Sequence, residues 1–182
     1  MLNKSILGSS YLDFKPQLYI FPRLLPNYRI ISIDPVGFGK SIPPERSFDF
    51  NMFENDVEIL KALMDELKIT KFSILGHSGG ATVGVKFAVL YPEKIEKLII
   101  VASFTFGTQE EVNAANSFKD PEAWSEAMSK PLFDFYGRDY VKRMWGEFVG
   151  GMQEYIDVKS GDYILQELKF IKAETLVILG WF

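Results

Sequence analysis

Hydrophobic positions along this chain alternate between two spacings. Residues 28–33, 72–75, 98–102 and 175–179 are short runs of apolar or β-branched residues, the pattern of strands buried on both faces. Helical spacing fills the intervals. Residues 11–25 repeat apolar side chains every three to four positions, with Pro16 suited to a first turn and Pro22 expected to kink or end the helix. Asn51 with Glu54 three residues on predicts a capped helix start. Phe53, Val57, Leu60, Met64 and Leu67 then form one apolar stripe, and Glu54, Asp56, Glu58, Asp65 and Glu66 read as its solvated face. Val83, Phe87 and Leu90 predict a further buried helix that stops at Tyr91-Pro92. Strand, helix, strand, helix, strand implies an α/β fold: a mostly parallel sheet with helices on its faces.

Across residues 107–172 the strand signal disappears. Thr108 with Glu111 opens one helix, Asp120-Pro121 another, and Tyr140, Val141, Met144, Trp145, Phe148 and Val149 form an amphipathic face that Gly150-Gly151 should close. One α/β domain is expected, with its core in 1–106 and 173–182 and an all-helical cap insert in 107–172. Trp124, Phe133, Phe135, Tyr136, Trp145 and Phe148 either line an apolar pocket beneath that cap or pack its helices together.

Composition narrows the chemistry. At 182 residues and 47% hydrophobic, the chain has enough material for one core. A net charge of −4 supplies no basic field for nucleic acid, and the absence of cysteine removes disulfides and thiolate metal sites. A single histidine argues against zinc. No stretch approaches the ~18 apolar residues of a membrane span, and the first residues lack a signal-peptide core.

The chemical signal lies at Lys71-Phe-Ser-Ile-Leu-Gly-His-Ser-Gly-Gly80. A strand runs into Gly76-His77-Ser78-Gly79-Gly80 and a helix starts directly after it, the setting of a nucleophile elbow. Side chains at Gly76 or Gly80 would collide with the neighbouring strand or helix, and Ser78 would stand alone at the strand's end. His77, beside Ser78 but directed away from it by the turn, reads as a packing or pocket residue. The Asp34-Pro-Val-Gly-Phe-Gly-Lys-Ser41 segment is a loop at the end of a strand, or simply a turn.

Together with Pro43-Pro44-Glu45-Arg46, Trp124-Ser125-Glu126 and Tyr136-Gly137-Arg138-Asp139-Tyr140, these motifs make the sequence resemble the α/β-hydrolase fold family, and within it the valacyclovir hydrolase (biphenyl hydrolase-like) branch. The resemblance implies a serine hydrolase of small carboxylic esters, amino-acid esters among the candidates. It also implies no cofactor or metal, no nucleic-acid or membrane partner, and a cytoplasmic or mitochondrial location. Ser78 would form an acyl-enzyme, with an oxyanion hole from the backbone N–H of Gly79 and one from Ile6 or Leu7. Ser78 would face a substrate pocket involving His77, Trp124, Tyr136 and Trp145.

The family's acid would follow Gly180-Trp181-Phe182 and its histidine would come later still. This chain is therefore expected to be nearly inactive alone, with a non-catalytic ligand- or partner-binding role as the alternative. The resemblance further implies that N-terminal strands and a last strand are missing: 1–4 is too short for the strand expected between 28–33 and 72–75, so instability is expected. Gly79 stands where relatives that favour amino-acid esters tend to carry an acid, which weakens that preference. Oligomeric state has no signal in the sequence.

Overall fold

The computed structural model describes residues 2–3 and 9–180. Its frame is a four-stranded, wholly parallel sheet in the order β1 (Leu2–Asn3), β2 (Phe72–His77), β3 (Ile95–Val101), β4 (Glu174–Ile178). Helices α1 (Ser10–Leu24), α2 (Met52–Glu66) and α3 (Gly79–Leu90) fall among the first three strands. Helices α4 (Gln109–Ser117), α5 (Glu126–Tyr136) and α6 (Arg138–Lys159) lie between β3 and β4.

The core forms where the apolar spacing of α2 meets α3. Met52, Phe53, Val57, Leu60 and Met64 are buried along α2, while α3 is buried from Gly80 through Ala88 because it is enclosed on several sides. Gly84 lets α3 approach the sheet: a β-carbon there would sit 3.1 Å from Ile74 and 3.2 Å from Leu98. Only the end of α3 departs from expectation, with Leu90 exposed.

Several sequence-based expectations change. Residues 28–33 form no strand; Tyr28 lies in a bend and is 57% exposed, and Ser32 alone makes a β-bridge. An apolar run becomes a strand only when a partner ladder takes its backbone groups. The strand expected beside β2, for which 1–4 reads as too short, is present as the two-residue β1, whose Leu2 and Asn3 pair with Leu75 and Gly76.

The β4 run is a strand, hydrogen-bonded to β3, but all five of its residues are exposed rather than buried. It is the outermost strand, beyond the three that α3 packs against. Among the described residues no helix covers its faces, so its apolar side chains stay exposed.

Helix ends also differ. Pro22 neither kinks nor stops α1; the break is at Phe14 (φ −116°, ψ 18°), two residues before Pro16, which thus begins a new helical segment. Asn51 makes no side-chain cap, because the Asp49 carboxylate accepts its N–H and Glu54 turns to Lys86. Asp56 is likewise not solvated but paired with Arg46. The Thr108–Glu111 capping box forms as expected.

Gly150-Gly151 does not close α6, which continues to Lys159 and ends at left-handed Ser160. Gly151 is instead a contact point, where a β-carbon would lie 2.0 Å from the Phe48 carbonyl oxygen. The end of α6 is fixed by rings: Tyr155 stacks on Tyr163 at 4.5 Å, and Phe53 and Phe104 meet this pair edge-on.

Two outcomes test this packing. Gly151→Ala should destabilise the fold by about 1–3 kcal/mol through overpacking. Gly150→Ala, with nothing within 4 Å, should be neutral or stabilising by about 1 kcal/mol; urea midpoints that move equally for both would contradict the contact.

Burial pushes the Tyr136 and Tyr163 phenols up to about 12 and raises Tyr155 as well. Above pH ~10 the unfolded chain loses these protons first, so stability should fall as pH rises from about 10 towards 12. Absorbance of phenolate at ~295 nm should show at least these three of the eight tyrosines titrating late, with Tyr91 and Tyr140 also raised; a single titration near pH 10 would contradict the burial.

Candidate active site

The elbow is built by one close approach. His77 ends β2 opposite Val101, and the Ser78 N–H donates to the Val101 carbonyl at 2.9 Å, so the sheet ladder continues to the serine itself. The chain then reverses into α3 with Ser78 at φ 53°, ψ −125°. That conformation costs an L-residue on the order of 1–3 kcal/mol. What enforces it is Gly76: a β-carbon there would lie 2.4 Å from the Gly80 carbonyl oxygen and 2.7 Å from Ala81 Cα. Strand and helix backbones touch, and the residue between them is forced outward.

Ser78 is half-buried, and among the described residues its hydroxyl has no hydrogen-bond partner. Its carbonyl is occupied, accepting from the N–H groups of Ala81 (2.8 Å) and Thr82 (3.3 Å). Gly79 opens α3, so its N–H belongs to the first turn, which lacks partners further back in the helix and carries the positive end of the helix dipole. An anionic oxygen near Ser78 would find a donor there. Ile6 and Leu7, the other expected source of an oxyanion donor, lie outside the described residues.

His77 is half-buried beside Ser78, on a strand where successive side chains point to opposite faces. It makes no hydrogen bond to Ser78. Phe53, which sequence reasoning assigned only to the core, approaches the elbow: its ring edge would be 3.5 Å from a β-carbon at Gly79. No local pattern marks that role, because the contact spans two helices.

The 34–41 loop is more than a turn. The Asp34 carboxylate accepts from the N–H of Ser10 (2.7 Å), the Ser10 hydroxyl and the N–H of Lys40 (2.9 Å), joining the start of α1 to the loop. Gly37 and Gly39 have positive φ, and a β-carbon at Gly39 would collide with the Asp34 carboxylate. Arg46 holds the loop from behind. Its guanidinium pairs with both oxygens of Asp56 (2.6 and 2.7 Å) and faces the rings of Phe38 and Phe48. Sequence reasoning missed this clamp; an arginine between two phenylalanines was its signal.

Two of the cap tyrosines reach that loop. Gly39 donates its N–H to the Tyr136 hydroxyl at 2.9 Å, and the Tyr140 hydroxyl donates to the Gly37 carbonyl at 2.8 Å, with the two rings stacked. Trp124 is buried, donates its indole N–H to the Phe118 carbonyl, and meets Trp145 edge-on at 5.0 Å. Trp145 in turn lies against Phe148. The structure thus brings Trp124 and Trp145 together inside the cap and sends Tyr136 to the loop. Among the described residues, no hydrogen bond or ring contact joins any of these three to Ser78.

The described residues contain no group of three His, Cys, Asp or Glu side chains that could hold a metal, and no helix long and apolar enough to cross a membrane. The chemistry on offer at the elbow is a half-buried serine hydroxyl with a backbone donor beside it.

Comparison with known proteins agrees with this geometry. The serine hydrolase BPHL of Mus musculus is 31% identical over 180 residues, covering 99% of this chain and 61% of the relative. The 2-hydroxy-6-oxononadienedioate/2-hydroxy-6-oxononatrienedioate hydrolase of Escherichia coli K12 is 34% identical, covering 88% of this chain and 62% of the relative. The chain therefore spans about three-fifths of the length of these curated relatives.

Among solved structures, the 2-hydroxy-6-oxo-6-phenylhexa-2,4-dienoate hydrolase of Rhodococcus sp. strain RHA1 superposes with a TM-score of 0.72 at 21% identity, over 99% of this chain and 71% of that one. NosK from Streptomyces actuosus gives 0.72 at 15%, over 98% and 74%. These two likenesses concern the fold. The family model for the alpha/beta hydrolase fold matches residues 1–147, and with the strand, strained serine and helix found where that fold requires them, the chain belongs to the α/β-hydrolase fold family.

Proposed function

We propose that this protein is a serine hydrolase of small carboxylic esters, with Ser78 as the nucleophile. The observation that carries this reading is the backbone of Ser78: a non-glycine residue held at positive φ between a parallel strand and a helix, half-exposed, with no hydrogen-bond partner for its hydroxyl among the described residues. Strain of this kind persists only where the surroundings enforce it. Ser78 Oγ attacks the acyl carbon as its proton passes to water, the carbonyl oxygen takes up the electron pair beside the Gly79 N–H, and collapse expels the alkoxide, protonated by water, to leave an acyl-enzyme. Water then releases the acid. Ile6 or Leu7 supplies the second oxyanion donor, and His77, Trp124, Tyr136 and Trp145 border the route to the serine.

The reaction needs a base, and the chain's one histidine is His77. With no base on its hydroxyl, Ser78 retains the help of binding and the oxyanion donors, about 10³- to 10⁴-fold over water in other triad enzymes. Turnover by this polypeptide is therefore slow. The same unpartnered hydroxyl favours a second reading, a non-catalytic member of the family that binds a ligand or partner in the cleft.

A fluorophosphonate probe together with p-nitrophenyl butyrate separates these. Slow labelling and slow ester cleavage that both vanish in Ser78→Ala are expected for the hydrolase. Labelling that persists in Ser78→Ala would remove Ser78 as the nucleophile. No labelling of the unsubstituted chain would leave the binding role.

A further inference from the structure

Among the described residues β4 is paired along one edge only. Which backbone groups face the other edge follows from the ladder. The Ala102 N–H donates to the Ile178 carbonyl at 2.9 Å, and Ile178 lies opposite Val101. Backbone groups alternate in direction along a strand, so Glu174, Leu176 and Ile178 address β3. Thr175, Val177 and Leu179 therefore turn their N–H and C=O groups outward. The same alternation on β3 sends the Val101 carbonyl to its other neighbour, where it accepts from Ser78.

Monomeric proteins protect such an edge with lysine, proline, a bulge or a covering helix. β4 has none of these. Residues 175–182 contain no charged side chain and no proline, the register with β3 is regular, and all five strand residues are exposed. Leu176, Val177, Ile178 and Leu179 are 46–66% exposed. Glu174, at the start of the strand, is already paired with Lys97 of β3 at 3.0 Å.

Hydrogen bonding and charge select a second copy of the chain as the occupant. Turned antiparallel about a two-fold axis at Val177, two β4 strands set Val177 against Val177 and Thr175 against Leu179. These are the outward residues, so every N–H meets a carbonyl, giving about six hydrogen bonds across the axis. Leu176 falls opposite Ile178 in the closer, non-hydrogen-bonded pairing, which gives the exposed apolar side chains apolar neighbours. Glu174 falls opposite Gly180, so no like charges oppose each other. We propose that the protein forms a two-fold homodimer, joined edge to edge through β4 into one continuous sheet. Pairing of this kind closes at two copies. It does not depend on the reading of Ser78 as a nucleophile.

Analytical ultracentrifugation of the full chain across a dilution series tests it. The mass should rise with concentration from 20.8 kDa to twice that value and stop there. Val177→Pro removes an outward donor, and Val177→Lys sets two ammonium groups against each other at the axis. Each should weaken association at least about tenfold, with far-UV circular dichroism unchanged because neither alters a group of the β3 ladder. Ser78→Ala should associate as the unsubstituted chain does. Compared with Val177→Lys at equal concentration, amide hydrogen exchange of the unsubstituted chain should be slower at Thr175 and Leu179 and the same at Leu176 and Ile178. A monomer at every concentration, growth beyond two copies, association indifferent to both Val177 substitutions, or equal exchange at Thr175 and Leu179 would overturn the proposal.

Discussion

The contact between the backbone of Gly76 and that of Gly80 and Ala81 is the constraint on which the rest of the structure turns. A strand and a helix joined by one residue can be this close only if the strand contributes no side chain at the contact and the connecting residue accepts an unfavourable φ. Ser78 accepts it, and the stability of the surrounding sheet and of α3 offsets a strain on the order of 1–3 kcal/mol. Burial of α3 from Gly80 to Ala88 anchors one side of the turn and the β2–β3 ladder anchors the other. A half-buried hydroxyl is thereby mounted between a strand ladder and a buried helix.

Around this fixed point the remaining polar interactions work at longer range. Asp34 ties the beginning of α1 to the 34–41 loop, and Arg46 with Asp56 ties that loop to α2. A bidentate, nearly buried pair of this kind contributes little net stability over an apolar substitute, yet leaving either partner alone would be costly, on the order of 3–5 kcal/mol. Its effect is to hold geometry: Arg46 braces Phe38 in the loop, from which Gly39 offers its N–H to Tyr136 and Gly37 its carbonyl to Tyr140.

The sequence made the elbow legible because everything it needs is local: an apolar run, glycines at 76 and 80, a serine between them and a helical pattern after. The parallel sheet was legible from the same alternation. Residues 28–33 and β4 were not, since composition reports what a segment prefers and neighbours decide what it becomes. The first run makes a single bridge at Ser32, and the second has a ladder but, among the described residues, no helix over it. Gly150-Gly151 failed for a related reason: glycine marks either a helix end or a close contact, and only the position of Phe48 distinguishes the two. Acidic residues on α2 were read as solvated because their cations, Lys86 and Arg46, are distant in sequence. The pairing of Trp124 with Trp145, and the separate attachment of Tyr136, also depend on how α5 and α6 fold back, which no short window contains.

The stacked pair Tyr136 and Tyr140 acts as a latch between the helical insert and the loop beneath it. Two hydrogen bonds at roughly 1 kcal/mol each and a ring stack at about 0.5–1.5 kcal/mol resist separation. A molecule that entered by prising these helices from the loop would meet a gate ajar in about one copy per hundred or fewer, since ~1.4 kcal/mol is a factor of ten. Passage by that door would therefore be limited by the latch, while an approach elsewhere along the cap would leave it shut.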